Sequence, residues 1–263
     1  MNKVLFYIIG IASLLLTACS GQPKPVSERS ESREAKRLMQ GVWLDDSESA
    51  VFQMKGDTVY FADSTSMPAY FRVVDDTLYI GKEGRYHIEK QTEHLLWFKS
   101  ESGELTKLMK SDDEALNQVF AQTKPQILTL TQVLKRDTVV FYNGQRYHLY
   151  VAINPTKYKV SRHVLNEDGI DVENVYYDNI IHLSIFQGDK QLFSRDFRKQ
   201  LYEKRVPQQI LSQSILNNME YDKVDSEGFH VRASVCVPDE ASCYMVGHTI
   251  SFNGQLTTQL LEY

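Results

Sequence analysis

The side chains of this sequence that could do chemistry together are histidines, carboxylates, serines and tyrosines, and their spacing decides what each group can be. His148, His182 and His230 stand at polar positions of segments in which every second residue is apolar. If those segments are neighbouring strands, the three imidazoles, with Arg146 and Arg232, line one sheet face where a metal or an anion could sit. A metal site needs three or four converging ligands with partners behind them. The sequence has neither an H-E-x-x-H nor an H-x-H spacing, so the expectation is a solvated face with no metal and no cofactor. Asp45-Asp46, Asp75-Asp76, Asp112-Asp113 and Glu167-Asp168 fall where turns are expected, and turn chemistry accounts for them. The run Glu167-Asp168-Gly169-Ile170-Asp171 lacks the ligand order of a calcium loop. Neither a G-x-S-x-G elbow nor an S-x-x-K motif occurs, so no catalytic residue is assigned. Tyr142, Tyr150, Tyr176 and Tyr177 gather in or near one expected sheet, and exposed tyrosines mark contact surfaces for proteins or sugars. The candidate contact surface is His148, Tyr150, His182, His230 and Arg232.

Cys236 and Cys243 end two alternating segments. Phe229 to Val237 is apolar at odd positions; Tyr244 to Phe252 is apolar at even positions except His248. Pro238 to Ser242 between them is turn chemistry. Both cysteines thus project from the polar face of one hairpin, and a cross-strand disulfide is expected. Two free thiols are the alternative. A redox dithiol or a zinc pair would want closer spacing.

The chain opens with Lys3 and an apolar run from Val4 to Leu16, too short to span a bilayer and ending in small residues, as a cleaved secretory signal does. Leu16-Thr17-Ala18-Cys19 resembles a bacterial lipobox. The resemblance implies a signal peptide over 1–18, diacylation of Cys19 and a mature chain that starts there, outside the cytoplasm. Residues 19–37 read as a polar tether, its last part a short helix over Glu31 to Gln40. No second apolar run approaches twenty residues. The net charge of -5, with both signs scattered, argues against a nucleic-acid partner, which requires a basic face.

The elements are expected to be strands. Fifteen tyrosines and twelve phenylalanines, with glycine and proline mostly between apolar runs, favour half-buried strands. The fold class is all-β: a small antiparallel barrel or meander over 38–110, a linker over 111–125, and a β-sandwich of seven or eight strands over 126–263. Gly56-Asp57-Thr58, Asp75-Asp76-Thr77 and Arg136-Asp137-Thr138 each read as a turn opening a strand. Asn143-Gly144, Gly188-Asp189 and Asn253-Gly254 are hairpin signals. Leu201, Leu211, Ile215, Leu216 and Met219 fit helical spacing, which predicts a helical insertion over about 196–220. Trp43 and Trp97 are expected in the core.

Gly41-Val42-Trp43 after a short helical stretch resembles the opening of lipocalin-like domains, which implies a barrel plugged at one end by the tryptophan. Ile210 to Tyr221 and Val231 to Phe252 resemble a family of uncharacterised bacterial lipoproteins with a C-terminal domain of unknown function. That resemblance implies anchoring and architecture, and no activity. Ser20-Gly21-Gln22-Pro23-Lys24 lacks the acidic export signal found after the cysteine in surface lipoproteins of related anaerobes, so the periplasmic face of the outer membrane is expected, with the cell surface as the alternative. The expected function is a non-enzymatic, lipid-anchored envelope protein that presents a surface to a protein or glycan partner. The other readings are a carrier of a small apolar ligand in the barrel and a hydrolase whose residues converge only in three dimensions.

Overall fold

A computed structural model of the chain describes residues 30–122, 130 and 132–261. The signal peptide, Cys19 and most of the tether lie outside the described residues.

Helix α1 (Arg33–Met39) leads into eight strands: β1 (Gly41–Leu44), β2 (Ala50–Lys55), β3 (Thr58–Phe61), β4 (Ala69–Val74), β5 (Thr77–Ile80), β6 (Gly84–Gln91), β7 (Leu95–Lys99) and β8 (Leu105–Ser111). They pair antiparallel in chain order, and β1 pairs with β8 to close a barrel. Period-two alternation turns Phe52, Met54, Phe71, Leu78, Leu96 and Phe98 inward, where they fill the interior. Trp43 is fully buried with them. Trp97 is a correction: it stands between the inward Leu96 and Phe98, so it faces out. There its ring lies between Lys90 and Lys107, at 4.6 and 5.2 Å from the centroid.

The short helix expected over Glu31 to Gln40 is α1, and it packs on the barrel. Ser32 Oγ accepts from the Ala35 N–H, and Glu34 and Arg37 occupy the ends of the helix that suit their charges. The helix crosses one end of the barrel. Trp43 Nε1 donates to Met39 O at 2.7 Å, Lys110 Nζ to Leu38 O at 2.6 Å, and Gln91 Nε2 to Ala35 O at 2.6 Å. Helix α2 (Glu114–Gln122) lies in the expected linker and leans on β2 through Gln53 Nε2 and Asn117 Oδ1, 2.6 Å apart.

The second half holds β9 (Leu134–Tyr142), β10 (Gln145–Leu165), β11 (Asp171–Gln187), β12 (Lys190–Phe197), β13 (Ile215–Asp225), β14 (Gly228–Cys236), β15 (Cys243–Ile250) and β16 (Leu256–Leu260). They form two four-stranded sheets, β12-β11-β10-β9 and β13-β14-β15-β16. The inner faces meet over one core that includes Leu149, Ile181, Leu183, Phe229, Val231 and Val246. Asn143-Gly144, with φ of 47° and 73°, makes the tight β9–β10 turn, as its sequence predicts.

The helical insertion expected over about 196–220 is present between β12 and β13 but shorter: a 3₁₀ turn at Lys199–Tyr202 and a short helix α3 (Gln208–Gln213), while Ile215, Leu216 and Met219 lie on β13. Register shifts at Leu216/Asn218 and Tyr221/Lys223 break the period of two on that strand, so that Leu216 and Met219, three apart, both face the core and imitate a helical stripe. Arg136-Asp137-Thr138 is no turn: it sits inside β9, opposite Val151, Tyr150 and Leu149 of β10.

The hairpin β10–β11 joins the two halves. Within the sandwich it pairs from Tyr147↔Gln187 to Pro155↔Asn179; beyond a bulge it pairs again from Lys159↔Tyr177 to Leu165↔Asp171. Among the described residues no third strand flanks this outer part beyond a single bridge of Asn174 to Ser66, since pairing with β9 stops at Ile153 and with β12 at Ile181. The arm ends in the barrel mouth opposite α1. Ile170 and Val172 are buried in the barrel core. The Asp171 N–H donates to Tyr86 Oη at 2.7 Å, and the Met67 N–H to Glu173 O at 2.8 Å. The barrel is thus covered by its own helix at one end and by the second half of the chain at the other.

Candidate functional site

On the outer face of the β12-β11-β10-β9 sheet, alternation sends Arg146, His148 and Tyr150 of β10 outward. Register places Val139 and Phe186 on either side of His148, and Asp137 and Ser184 on either side of Tyr150. The rings of His148 and Tyr150 stack 5.8 Å apart at 11°, and Phe186 meets Tyr150 edge-on at 5.8 Å. Asp137 Oδ1 is 3.3 Å from His148 Nδ1, which also lies 3.4 Å from Tyr150 Oη. Tyr150 is 41% exposed and Phe141, beside Arg146, is 70% exposed. Arg146, His148, Tyr150, Phe186, Gly188 and Asp189 line a groove of about 560 Å³. Its floor is aromatic and its rim carries both charges, a lining suited to a ligand with an apolar face and hydroxyls around it.

His182 lies on the same face, outside the groove. Its Nδ1 is 2.7 Å from Asp196 Oδ1 and its Nε2 is 3.2 Å from Ser194 Oγ. The order is that of a Ser–His–Asp relay. Acyl transfer also needs donors aimed at a developing oxyanion, and the contacts of this trio include none.

His230 and Arg232 do not join the others. They stand on the outer face of the second sheet, on β14, so the single face expected for the histidines is divided between opposite sides of the sandwich. The reason is topological: β10 and β14 belong to different sheets although both alternate in the same manner. His230 Nε2 is 2.9 Å from Asp225 Oδ1 and its Nδ1 is 3.1 Å from Thr249 Oγ1. Among the described residues, Asp225, Glu227 and His230 are the group of three whose ligand atoms come close enough to hold a metal ion. Lys223 Nζ already sits 2.7 Å from Asp225 Oδ2. The Lys223 ammonium, and then the hydrogen bond from His230, hold the Asp225 carboxyl well below the usual carboxylate range.

The tyrosines also separate. Tyr142 stacks on Phe252 at 5.2 Å, and Tyr176 is buried beside the β14–β15 loop; only Tyr150 reaches the groove. Cys236 and Cys243 face each other across β14 and β15 and form the expected disulfide.

Sequence reasoning passed over a deeply buried ionisable group. His248 faces the sandwich core and is 2% exposed. Tyr202 Oη lies 2.9 Å from its Nε2, and its Nδ1 lies 3.0 Å from Thr258 Oγ1. Burial, helped by Arg205 and Arg195, pushes its pKa down to about 4. Its position as the one polar residue on the apolar face of Tyr244 to Phe252 was the available signal.

Among the described residues, no helix is long and apolar enough to cross a membrane. Comparison with curated proteins gives no match. A family model matches residues 113–258, from the start of α2 into β16. That span is more than half of the chain, and the protein therefore belongs to the family described as a domain of unknown function (DUF4738).

Proposed function

We propose that this is a non-enzymatic, lipid-anchored protein of the bacterial envelope that binds a glycan in the groove of His148, Tyr150 and Phe186. The anchor rests on Leu16-Thr17-Ala18-Cys19 and on the apolar run before it. With two or more acyl chains, such an anchor holds firmly where one would bind marginally. The periplasmic face of the outer membrane is the corresponding location. The observation that carries the binding reading is the exposed aromatic floor of the groove, with Arg146 and Asp189 at its rim. Sugars offer one apolar ring face to stacking and hydroxyls that both donate and accept. A stable protein interface wants roughly 1,200 Å² or more of total buried surface around a dry centre, and a small groove with charges of both signs is a poorer match to that.

An array of soluble oligosaccharides probed with the purified chain tests this reading. Binding should fall about tenfold in Tyr150→Ala, the factor that one aromatic stacking contact of ~1.4 kcal/mol carries. Arg232→Ala, on the opposite sheet, should leave it unchanged. Binding that survives Tyr150→Ala, or an array without a single bound sugar, sinks the glycan reading. For the anchor, mass spectrometry of the amino end should find acylated Cys19, and Cys19→Ser should move the protein from the detergent phase to the aqueous phase.

A further inference from the structure

Among the described residues, the outer arm of the β10–β11 hairpin reaches the barrel mouth as two strands without a third beyond the single bridge of Asn174 to Ser66. Two-stranded ribbons are marginal by themselves, so something beside the arm must hold it. The barrel holds the arm's tip through Ile170, Asp171 and Glu173, and the β14–β15 loop, Val237 to Ser242, supports its stem. Arg162 on the arm donates from Nη1 to Pro238 O at 2.5 Å and pairs through Nη2 with Glu240. Tyr176, nearly opposite on β11, donates from Oη to Asp239 Oδ2 at 2.5 Å. Three consecutive loop residues therefore grip both strands of the arm, a few residues short of Ile170. The Cys236–Cys243 disulfide closes this loop at its base. Cys236 is buried and Cys243 is exposed.

We infer that the disulfide-closed loop is a redox-sensitive clasp on the arm that plugs the barrel. This inference stands apart from the glycan groove, which lies on another part of the sheet. The closed form holds the carbonyl of Pro238 and the carboxylates of Asp239 and Glu240 where Arg162 and Tyr176 meet them. A dithiol opens it by ordinary exchange. One reductant thiolate attacks the exposed Cys243 sulfur, the Cys236–Cys243 bond breaks, and Cys236 leaves as a thiolate that takes up a proton. The second reductant thiol then displaces Cys243, which leaves as a thiol, and the reductant closes to its own disulfide. Two electrons and two protons pass to the cysteine pair. The loop then keeps only its backbone hydrogen bonds, Val237 N–H to Ser242 O at 3.1 Å and Glu240 N–H to Val237 O at 3.4 Å, and without the covalent closure the arm loses the fixed partners of Arg162 and Tyr176.

Hydrogen exchange on the full mature chain, with and without a soluble dithiol, tests the clasp. In the reduced protein, amides of 159–165 and 171–177 and the Met67 N–H should exchange about tenfold faster, the change that loss of one kcal-scale contact brings. Central amides of β5 and of β14 should keep their protection. Arg162→Ala combined with Tyr176→Phe, the disulfide intact, should reproduce the faster exchange of the arm. Reduction that loosens only 237–242, or a double variant whose arm exchanges as slowly as the parent, overturns the clasp. Uniform loss of protection on reduction overturns it as well, since the disulfide would then hold the whole sandwich rather than the arm.

Discussion

His248 makes the stability of the sandwich depend on pH in a calculable way. The unfolded imidazole has an ordinary value near 6.5; in the fold it is pushed down to about 4 by burial first and by Arg205 and Arg195 next. Below pH 6.5 the unfolded chain takes up a proton that the folded chain refuses. The stabilisation from a neutral, buried His248 is therefore complete above pH 6.5 and is lost as pH falls through about 4. A gap of about 2.5 units is worth about 3 kcal/mol between those limits. His248→Gln removes the titration. At pH 7.5 the variant should be less stable by about 1–3 kcal/mol, because Tyr202 Oη and Thr258 Oγ1 lose well-placed partners in a buried site. Between pH 7 and 4 the difference from the parent should shrink to nothing or change sign, while effects of carboxylates shared by both proteins cancel. Both tryptophans lie in the barrel, so the readout must come from the sandwich: urea dependence of amide exchange in β14 and β15 at each pH. A constant difference between parent and variant from pH 7.5 to 4.5 refutes the argument.

The remaining predictions concern packing and backbone. Ile170→Ala, although it lies in the second half of the chain, should destabilise the barrel by about 3 kcal/mol, seen as a lower denaturant midpoint in tryptophan emission. Gly228→Ala places a Cβ 2.1 Å from Ile250 O at a φ of 134°, and should cost about 3 kcal/mol or more in thermal unfolding. Gly144→Ala, at φ 73° with open space around it, should cost only about 1 kcal/mol in the same assay. Tyr202→Phe should cost about 1–2 kcal/mol, and its effect should be strongly non-additive with His248→Gln in a double-mutant cycle.

What was legible in the residues follows the physics that acts locally. Asn143-Gly144 needs positive φ at both positions and therefore announces its turn. The phase of Phe229 to Val237 against Tyr244 to Phe252 was enough to pair Cys236 with Cys243, because alternation fixes which face each side chain takes. What was lost is what depends on a distant partner. The bulges of β13 exist only against β14, and without them its apolar residues have a helical period. Trp97 looks like core until Leu96 and Phe98 are seen to have taken the inner positions. His148 and His230 have equivalent local patterns, and only the sheet order shows that they face away from each other. The groove was half legible: Arg146, His148 and Tyr150 share a strand and a phase, whereas Phe186 enters through cross-strand register and Gly188 and Asp189 through the turn that follows it.

The arm from the sandwich also constrains how the protein is made. Strand β8 closes the barrel wall at Ser111, yet the last apolar residues of its interior are Ile170 and Val172. During synthesis, the leading half must wait with an open greasy mouth until much of the trailing half has emerged. The two halves are consequently poor candidates for genetic shuffling: a truncation after β8 would leave an uncorked vessel, and the downstream piece alone would wave a bare stopper in solvent.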